Sequence, residues 1–318
     1  MRVSLRNKFL FEMLRIRKVE EKIAEIYPEE NIRCPIHLSI GQESIPVILS
    51  HFLKKTDHIY SSHRSHAHYL AKGGNLRAFF AELFGKESGC CGGIGGSMHL
   101  IDKNVGFMAS TPIVGGTIPL AVGDALSQKL KGAYNLIIVY FGDGCVEEGV
   151  VHEALNFSSL HDLPIIFVCE NNNFSVYTKL SERQPIADQS HLALAHNIKY
   201  FTAKSHDINS LYKEFNRLIN YVKNNRKPAF FESTVYRWRE HCGPSYDDDL
   251  NYRSKYEINK QKIYCPIKNT LNLLSQKNSH KLLDKFDFVI NDEINQALDF
   301  ASTSQAMTYS KLRSLVYA

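Results

Sequence analysis

The sequence predicts an α/β protein: a doubly wound parallel sheet flanked by helices, with a helical C-terminal extension. Three short runs predict the sheet, LIIVYF (136–141), IIFVC (165–169) and FFESTVY (230–236). They are β-branched or aromatic and apolar on both faces, as strands covered by helices on both sides are. Stretches of helical periodicity lie between them, about 146–161 and 207–223. Alternation of strand, helix and strand is the pattern of a layered α/β domain.

In chain order, the first element is an amphipathic helix over about 5–27. Leu10, Met13, Leu14, Ile16, Ile23 and Ile26 recur at helical spacing, and Tyr27-Pro28 ends it. The middle, about 88–180, is rich in glycine and carries the first two strands. From about 268 the tail is polar and helical, with no Pro or Gly after Pro266. No repeat and no linker divides the chain. Residues 1–267 are therefore expected to form one domain, and 268–318 its helical extension.

Composition narrows the function classes. The 318 residues are 44% hydrophobic and 22% charged, with 18 Gly and 10 Pro, which excludes collagen-like and wholly disordered chains. The formal charge of +5 is spread along the chain, and the mild lysine enrichment near 256–286 reads as a solvated face. No nucleic-acid partner is expected. No run reaches the length of a membrane span, and charge interrupts the N-terminus every few residues, so neither a membrane nor a leader is expected. Seven cysteines without a CxxC pair support neither zinc nor dithiol redox chemistry. A reduced, soluble, cytoplasmic protein is the expectation.

The residues just beyond each strand carry the chemistry. Gly142-Asp143-Gly144 comes after the first, Glu170-Asn171-Asn172-Asn173-Phe174 after the second, and Arg237, Arg239 and His241 after the third. Ligands of open parallel sheets bind at the carboxyl ends of strands, so the three clusters share one edge. Asp143 and Asn172 stand 29 positions apart, room for one helical crossover between parallel strands. The crossover brings a carboxylate and an amide oxygen together, hard ligands of the kind Mg²⁺ takes along with phosphate oxygens. The glycines beside Asp143 let backbone N–H groups approach a phosphate, and the helix starting near 146 points its N-terminus there. A GDG alone equally serves turn geometry; joined to an apolar strand and NN, it reads as a magnesium–diphosphate site. Gly92–Gly96 is either a phosphate cradle or a turn, and without a following GK[ST] it reads as a turn. Cys90 and Cys91 read as ordinary small residues. His58, His68, His161 and His191 read as structural, and His99 as a residue ordering the glycine loop. Glu147 and Glu148 suit the crossover helix's dipole, and Glu153 a subunit interface.

The stretch GDGCVEEGVVHEALNFSSLHDLPIIFVCENNNF resembles the thiamine diphosphate motif. With IHLSIGQE (36–43), HRSHAHYLAKGG (63–74), GGIGGSMHL (92–100), IVGGTIPLAVG (113–123) and YRWREH (236–241), the chain resembles the alpha subunit of the two-chain 2-oxo acid dehydrogenases, of the pyruvate and acetoin type. The resemblance implies a thiamine diphosphate-binding fold with thiamine diphosphate and Mg²⁺ as cofactors. It implies that Asp143, the Asn172 side chain and the Phe174 carbonyl hold the metal, and that Gly144 and Cys145 amides face the diphosphate. His63, Arg64, Arg237 and His241 would meet its oxygens, and the backbone from Pro112 to Val114 the aminopyrimidine. His37, His66 and His241 form the implied catalytic group. His63 departs from a usual Tyr, and Pro112 from a usual Gly. The implied partner is a beta subunit carrying the activating glutamate, in an α₂β₂ heterotetramer, with a lipoyl acyltransferase component beyond it. The implied substrate is a 2-oxo acid such as pyruvate, or acetoin. A carboligase acting on a sugar or aldehyde, and a scaffold that has lost its chemistry, are the alternatives.

Overall fold

Eight strands run β1 His58–Ser61, β2 Phe107–Ser110, β3 Ile137–Gly142, β4 Ile165–Asn171, β5 Phe174–Ser175, β6 Thr178–Lys179, β7 Lys199–Thr202 and β8 Ala229–Thr234. The computed structural model describes residues 1–133, 135–274 and 276–316. Six strands pair in parallel in the order β2-β1-β3-β4-β8-β7, and β5 with β6 makes a small antiparallel ribbon. The three apolar runs are β3, β4 and β8. The last strand stops at Thr234, short of the expected Tyr236: Val235 still donates to the Asn171 carbonyl, but Trp238 donates to Ile40, so the chain has left the sheet. β1, β2 and β7 were not expected. Each has four residues, and HIYS, FMAS and KYFT mix polar with apolar side chains, so they give no continuous apolar run.

The first six helices are α1 Val3–Ile26, α2 Ser44–Ser50, α3 His66–Ala71, α4 Leu76–Leu83, α5 Thr117–Leu130 and α6 Gly149–Leu160. They are followed by α7 Leu180–Arg183, α8 Ser190–Ala195, α9 Ile208–Asn225, α10 Lys255–Gln261, α11 Pro266–Asn272, α12 Gln276–Thr303 and α13 Tyr309–Val316. The crossover helix α6 starts at 149 rather than 146, because residues 143–147 wind a 3₁₀ turn first. The tail is helical, as expected, and α12 packs on α4 and α1, where Arg15 and Glu293 form a two-bonded ion pair.

Two apolar cores lie on opposite faces of the sheet. Ile138, Tyr140, Ile166 and Val168 face α1, α2 and α9, while Ile137, Val139, Phe141, Ile165, Phe167 and Cys169 face α5, α6 and α8. The strand's two-residue period assigns neighbours to opposite cores, which is why these runs are apolar throughout. β1 connects to β2 on one side and lies beside β3 on the other. A reversal of this kind leaves a crevice at the strands' carboxyl ends. Among the described residues no helix is long and apolar enough to cross a membrane, and all seven cysteines are free.

Candidate active site

That crevice is a cavity of about 220 Å³ at the carboxyl ends of β1, β3 and β4. His37, His63, Arg64, Pro112, Val114, Asp143, Gly144, Cys145, Asn172, Phe174 and His241 all line it. Two residues expected there do not. His66 begins α3 and turns inward; it is wholly buried, with Nδ1 3.0 Å from Glu20 Oε2 and Nε2 2.7 Å from Ser97 Oγ. Arg237 is buried one layer back, donating to the Val176 carbonyl (3.2 Å) and the Tyr252 hydroxyl (2.6 Å) beside Asp247. Both hold neighbours of the cavity wall in place.

Asp143 directly follows β3 and is fully withdrawn from solvent. Its Oδ1 accepts the Asn172 backbone N–H at 3.1 Å, so the two motifs meet as the crossover requires. Its Oδ2 lies 2.5 Å from Arg183 Nη2, and Arg183 also pairs with Glu147. Burial raises the Asp143 pKa, and Arg183 acts against that rise. The Asn172 side-chain oxygen accepts the Phe174 N–H (3.1 Å), while Asn173 and Val176 take left-handed φ values of 65° and 54°. A β-branched residue in that region is a backbone outlier, and here it makes the turn between β5 and β6 at the cavity wall. Gly144 makes room for the ribbon: a Cβ there would stand 2.9 Å from Ser175 Oγ.

Arg64 follows β1. Its guanidinium donates to the Leu38 carbonyl at 2.5 Å and to the His241 carbonyl at 3.2 Å, tying together two loops distant in sequence. Burial, then nearby Arg237, pushes its pKa down to about 9. The loop carrying His37 and Gln42 lies against the chain after β8, and Gly41 (φ 98°) is needed there: a Cβ would meet the Tyr236 carbonyl at 2.2 Å.

The rings of His37, His63 and His241 meet at steep angles, tilted or edge to face, at the cavity wall, with centroids 4.6, 5.1 and 5.3 Å apart. Burial is the chief cause that pushes them down, to about 2, 3 and 4, with the neighbouring cations of Arg64 and Arg237 adding to it for His63 and His241. All three are neutral at pH 7, and the His37 Nδ1 is buried without a hydrogen-bond partner.

Several cavity residues escaped sequence reading. Gln42 and Met98 lie within IHLSIGQE and GGIGGSMHL, which carry no ligand-type pattern at those positions, and Ser175 lies just past ENNNF. Glu170 lines the floor, with Oε2 3.1 Å from His68 Nε2 and Oε1 buried without a partner. His68, read as structural, also bonds Ser61 Oγ at 2.7 Å. Arg183 sits in LSERQP, which shows no periodicity or spacing that points to Asp143.

A doubly wound sheet whose switch-point cleft holds a buried carboxylate, a glycine turn and a buried arginine is the architecture of enzymes that seat a diphosphate-bearing cofactor. The chain belongs to the dehydrogenase E1 component family, whose pattern matches residues 11–309, as an alpha-type chain of a thiamine diphosphate-dependent oxidoreductase. It is 31% identical over 308 residues to the pyruvate dehydrogenase E1 component subunit alpha of Rickettsia bellii, covering 96% of this chain and 94% of that one. It is 33% identical over 310 residues to the alpha subunit of acetoin:2,6-dichlorophenolindophenol oxidoreductase of Bacillus subtilis, covering 96% and 91%. Its fold is similar to that of transketolase from Campylobacter jejuni, with a TM-score of 0.59, 17% identity, and coverage of 92% of this chain and 49% of that one.

The residues present fit the cofactor. The buried Asp143 carboxylate faces the Arg183 guanidinium, which a metal would displace from Oδ2, Gly144 leaves the turn open to close approach, and the neutral histidine wall keeps one imidazole nitrogen free.

Proposed function

We propose that this chain holds the diphosphate and Mg²⁺ end of thiamine diphosphate. The reaction is oxidative decarboxylation of a 2-oxo acid such as pyruvate, with acyl transfer to a lipoyl carrier. The observation that carries this reading is the buried Asp143 carboxylate at the end of β3, bonded to the Asn172 backbone N–H across the crossover at the cavity.

Asp143, the Asn172 side chain and the Phe174 carbonyl would hold Mg²⁺, which favours such oxygen donors beside phosphate. Arg64 would take up diphosphate charge and the neutral His241 would hydrogen-bond its oxygens, with the Gly144 and Cys145 amides facing it. When bound, thiamine diphosphate supplies stabilisation of the negative charge left as a bond beside a carbonyl breaks. The chain's own part is orientation. His37, kept neutral by burial and with Nδ1 buried and without a partner, can orient a reacting group through a hydrogen bond without adding a charge. Phe174, Ser175 and Val176, at the start of the ribbon, form part of the cavity wall beside Asp143 and Asn172.

A beta subunit would complete the site, in an α₂β₂ assembly, and a lipoyl acyltransferase would take the product. Ile113 and Val114, at the cavity rim, are exposed, as is Leu120 one turn into α5; apolar surface of this kind suits a protein partner. A second reading is cleavage of acetoin, favoured by HRSHAHYLAKGG (63–74) and by the place of His63 within the histidine wall. Co-expression with a beta chain, then a screen of pyruvate, acetoin and branched 2-oxo acids with an artificial electron acceptor, separates the two. Release of CO₂ with acceptor reduction on pyruvate supports the first reading. Reduction on acetoin alone supports the second, and turnover on neither removes both.

A further inference from the structure

The glycine run 92–96, whose sequence reads as a turn, does form an anion cradle, and the chain fills it with its own carboxylate. Glu82, in the last turn of α4, is 1% exposed. Its Oε2 accepts the backbone N–H of Cys91 (2.7 Å) and Gly93 (2.9 Å), and its Oε1 those of Gly95 (2.7 Å) and Gly96 (3.1 Å). Convergent backbone N–H groups are how nests hold anions, and bonds to an ionised acceptor are the stronger kind. Glycine is required by the packing: a Cβ on Gly93 (φ 79°) would meet the Lys86 carbonyl at 2.4 Å, and one on Gly89 would meet Glu82 Oε2 itself at 2.3 Å. The thiols of Cys90 and Cys91 lie within 4.8 Å of this carboxylate. A carboxylate offers about four lone-pair sites, and the four amides use them, so the cluster is an anchor and not a metal centre.

From the cradle the chain runs straight to the cavity. Ser97 Oγ bonds His66 Nε2 at 2.7 Å, and the Ser97 carbonyl accepts the Ser65 hydroxyl at 3.3 Å, next to Arg64. His66 rests on Glu20, whose other oxygen takes the Ser39 N–H at 2.8 Å, next to the Leu38 carbonyl that Arg64 uses. Met98, the next residue, forms part of the cavity wall, and its carbonyl accepts the Ser110 hydroxyl at 2.8 Å. Glu82 does not itself reach the cavity.

We propose that Glu82 is a positioning residue for this site: by holding the glycine loop it sets Ser97 and His66, and through them the wall formed by Arg64 and Met98. The proposal rests on the reading of the cavity as the thiamine diphosphate site.

The test uses the chain assembled with its beta subunit, as wild type, Glu82→Ala and Glu82→Gln. Hydrogen exchange is followed at the amides of Cys91, Gly93, Gly95 and Gly96, and thiamine diphosphate affinity by calorimetry, each with and without sodium acetate or sodium chloride. In Glu82→Ala the four amides should lose protection, and affinity should fall about 10- to 100-fold, the range for groups that orient binding residues. Acetate, a carboxylate small enough for the vacated cradle, should restore both, and chloride neither. Glu82→Gln keeps the volume but turns an amide N–H₂ toward donors, so it should lie between. Deprotected amides with unchanged affinity would overturn the positioning role, and protected amides in Glu82→Ala would overturn the cradle. If the wild-type assembly binds no thiamine diphosphate, the reading of the cavity is what fails, while the exchange data still judge the cradle.

Discussion

Arg183 Nη2 stands 2.5 Å from Asp143 Oδ2, so the carboxylate proposed to hold Mg²⁺ is neutralised by a cation of its own chain. Gln184 reinforces the contact by donating to the Asp143 carbonyl at 3.0 Å, and the segment following β6 is thereby latched onto the end of β3. Metal and guanidinium compete for one oxygen. Arg183→Gln should therefore tighten Mg²⁺ binding in the presence of thiamine diphosphate, by about tenfold, or ~1.4 kcal/mol, near the net strength of one charge-assisted hydrogen bond. Calorimetric Mg²⁺ titration measures this, and weaker binding would mean that Arg183 supports the cofactor instead.

Arg64 spans two loops with two different nitrogens, one on Leu38 and one on His241. Lysine's three donors radiate from one nitrogen, so it lacks the planar fork whose separate nitrogens reach carbonyls on two loops. Arg64→Lys is expected to cost about 1–2 kcal/mol of stability and to weaken thiamine diphosphate binding, although the formal charge is kept. Denaturant unfolding and calorimetry read the two effects, and a variant matching wild type in both would break the link between this guanidinium and the cavity wall.

The histidine wall sets a pH dependence of definite sign. His37, His63 and His241 have folded pKa values of about 2, 3 and 4, below the ordinary 6.5. Above pH 6.5 they are neutral in both states and contribute nothing. As pH falls through 6.5 the unfolded chain takes up protons that the fold refuses, so stability falls with acidity down to about pH 4 and below. The unfolding midpoint should decline through this window, and His63→Gln should decline less steeply than wild type. Parallel curves for the two proteins would contradict the burial of a neutral His63.

Apolar side chains on α5 and α6 predict assembly. Leu130 and Leu160 are 78% and 74% exposed, and Ile113 at the cavity rim is 68% exposed. The chain purified alone should self-associate in sedimentation, and addition of the beta subunit should replace those species with one defined complex. A monodisperse, monomeric lone chain would argue against a covered face here.

The parts of this site that were legible in the sequence are those that follow a strong strand. β3 and β4 face two cores at once, so their runs are apolar without a break, and Asp143 and Asn172 are located simply by following them. The place of His63 and Arg64 at a strand end was hidden, because β1 is four residues of mixed polarity. Resemblance put His66 in the catalytic group, but it is the first residue of α3 and turns into the core against Glu20 and Ser97. Arg237 was likewise expected at the diphosphate, and Tyr252 and Asp247, on a later loop, draw it back. Arg183 had no signal at all, since an ion pair spanning forty positions leaves no local pattern.

The most direct measurement is a calorimetric titration of thiamine diphosphate, with Mg²⁺ present, into the assembled alpha and beta chains as wild type and as Asp143→Ala. Wild type should bind saturably and only with Mg²⁺, and Asp143→Ala should lose that binding while remaining folded and assembled, with a lower melting temperature because Arg183 and the Asn172 N–H lose their partner. Equal affinity in the two proteins would show that Asp143, and with it the carboxyl end of β3, does not hold the metal–diphosphate end of the cofactor.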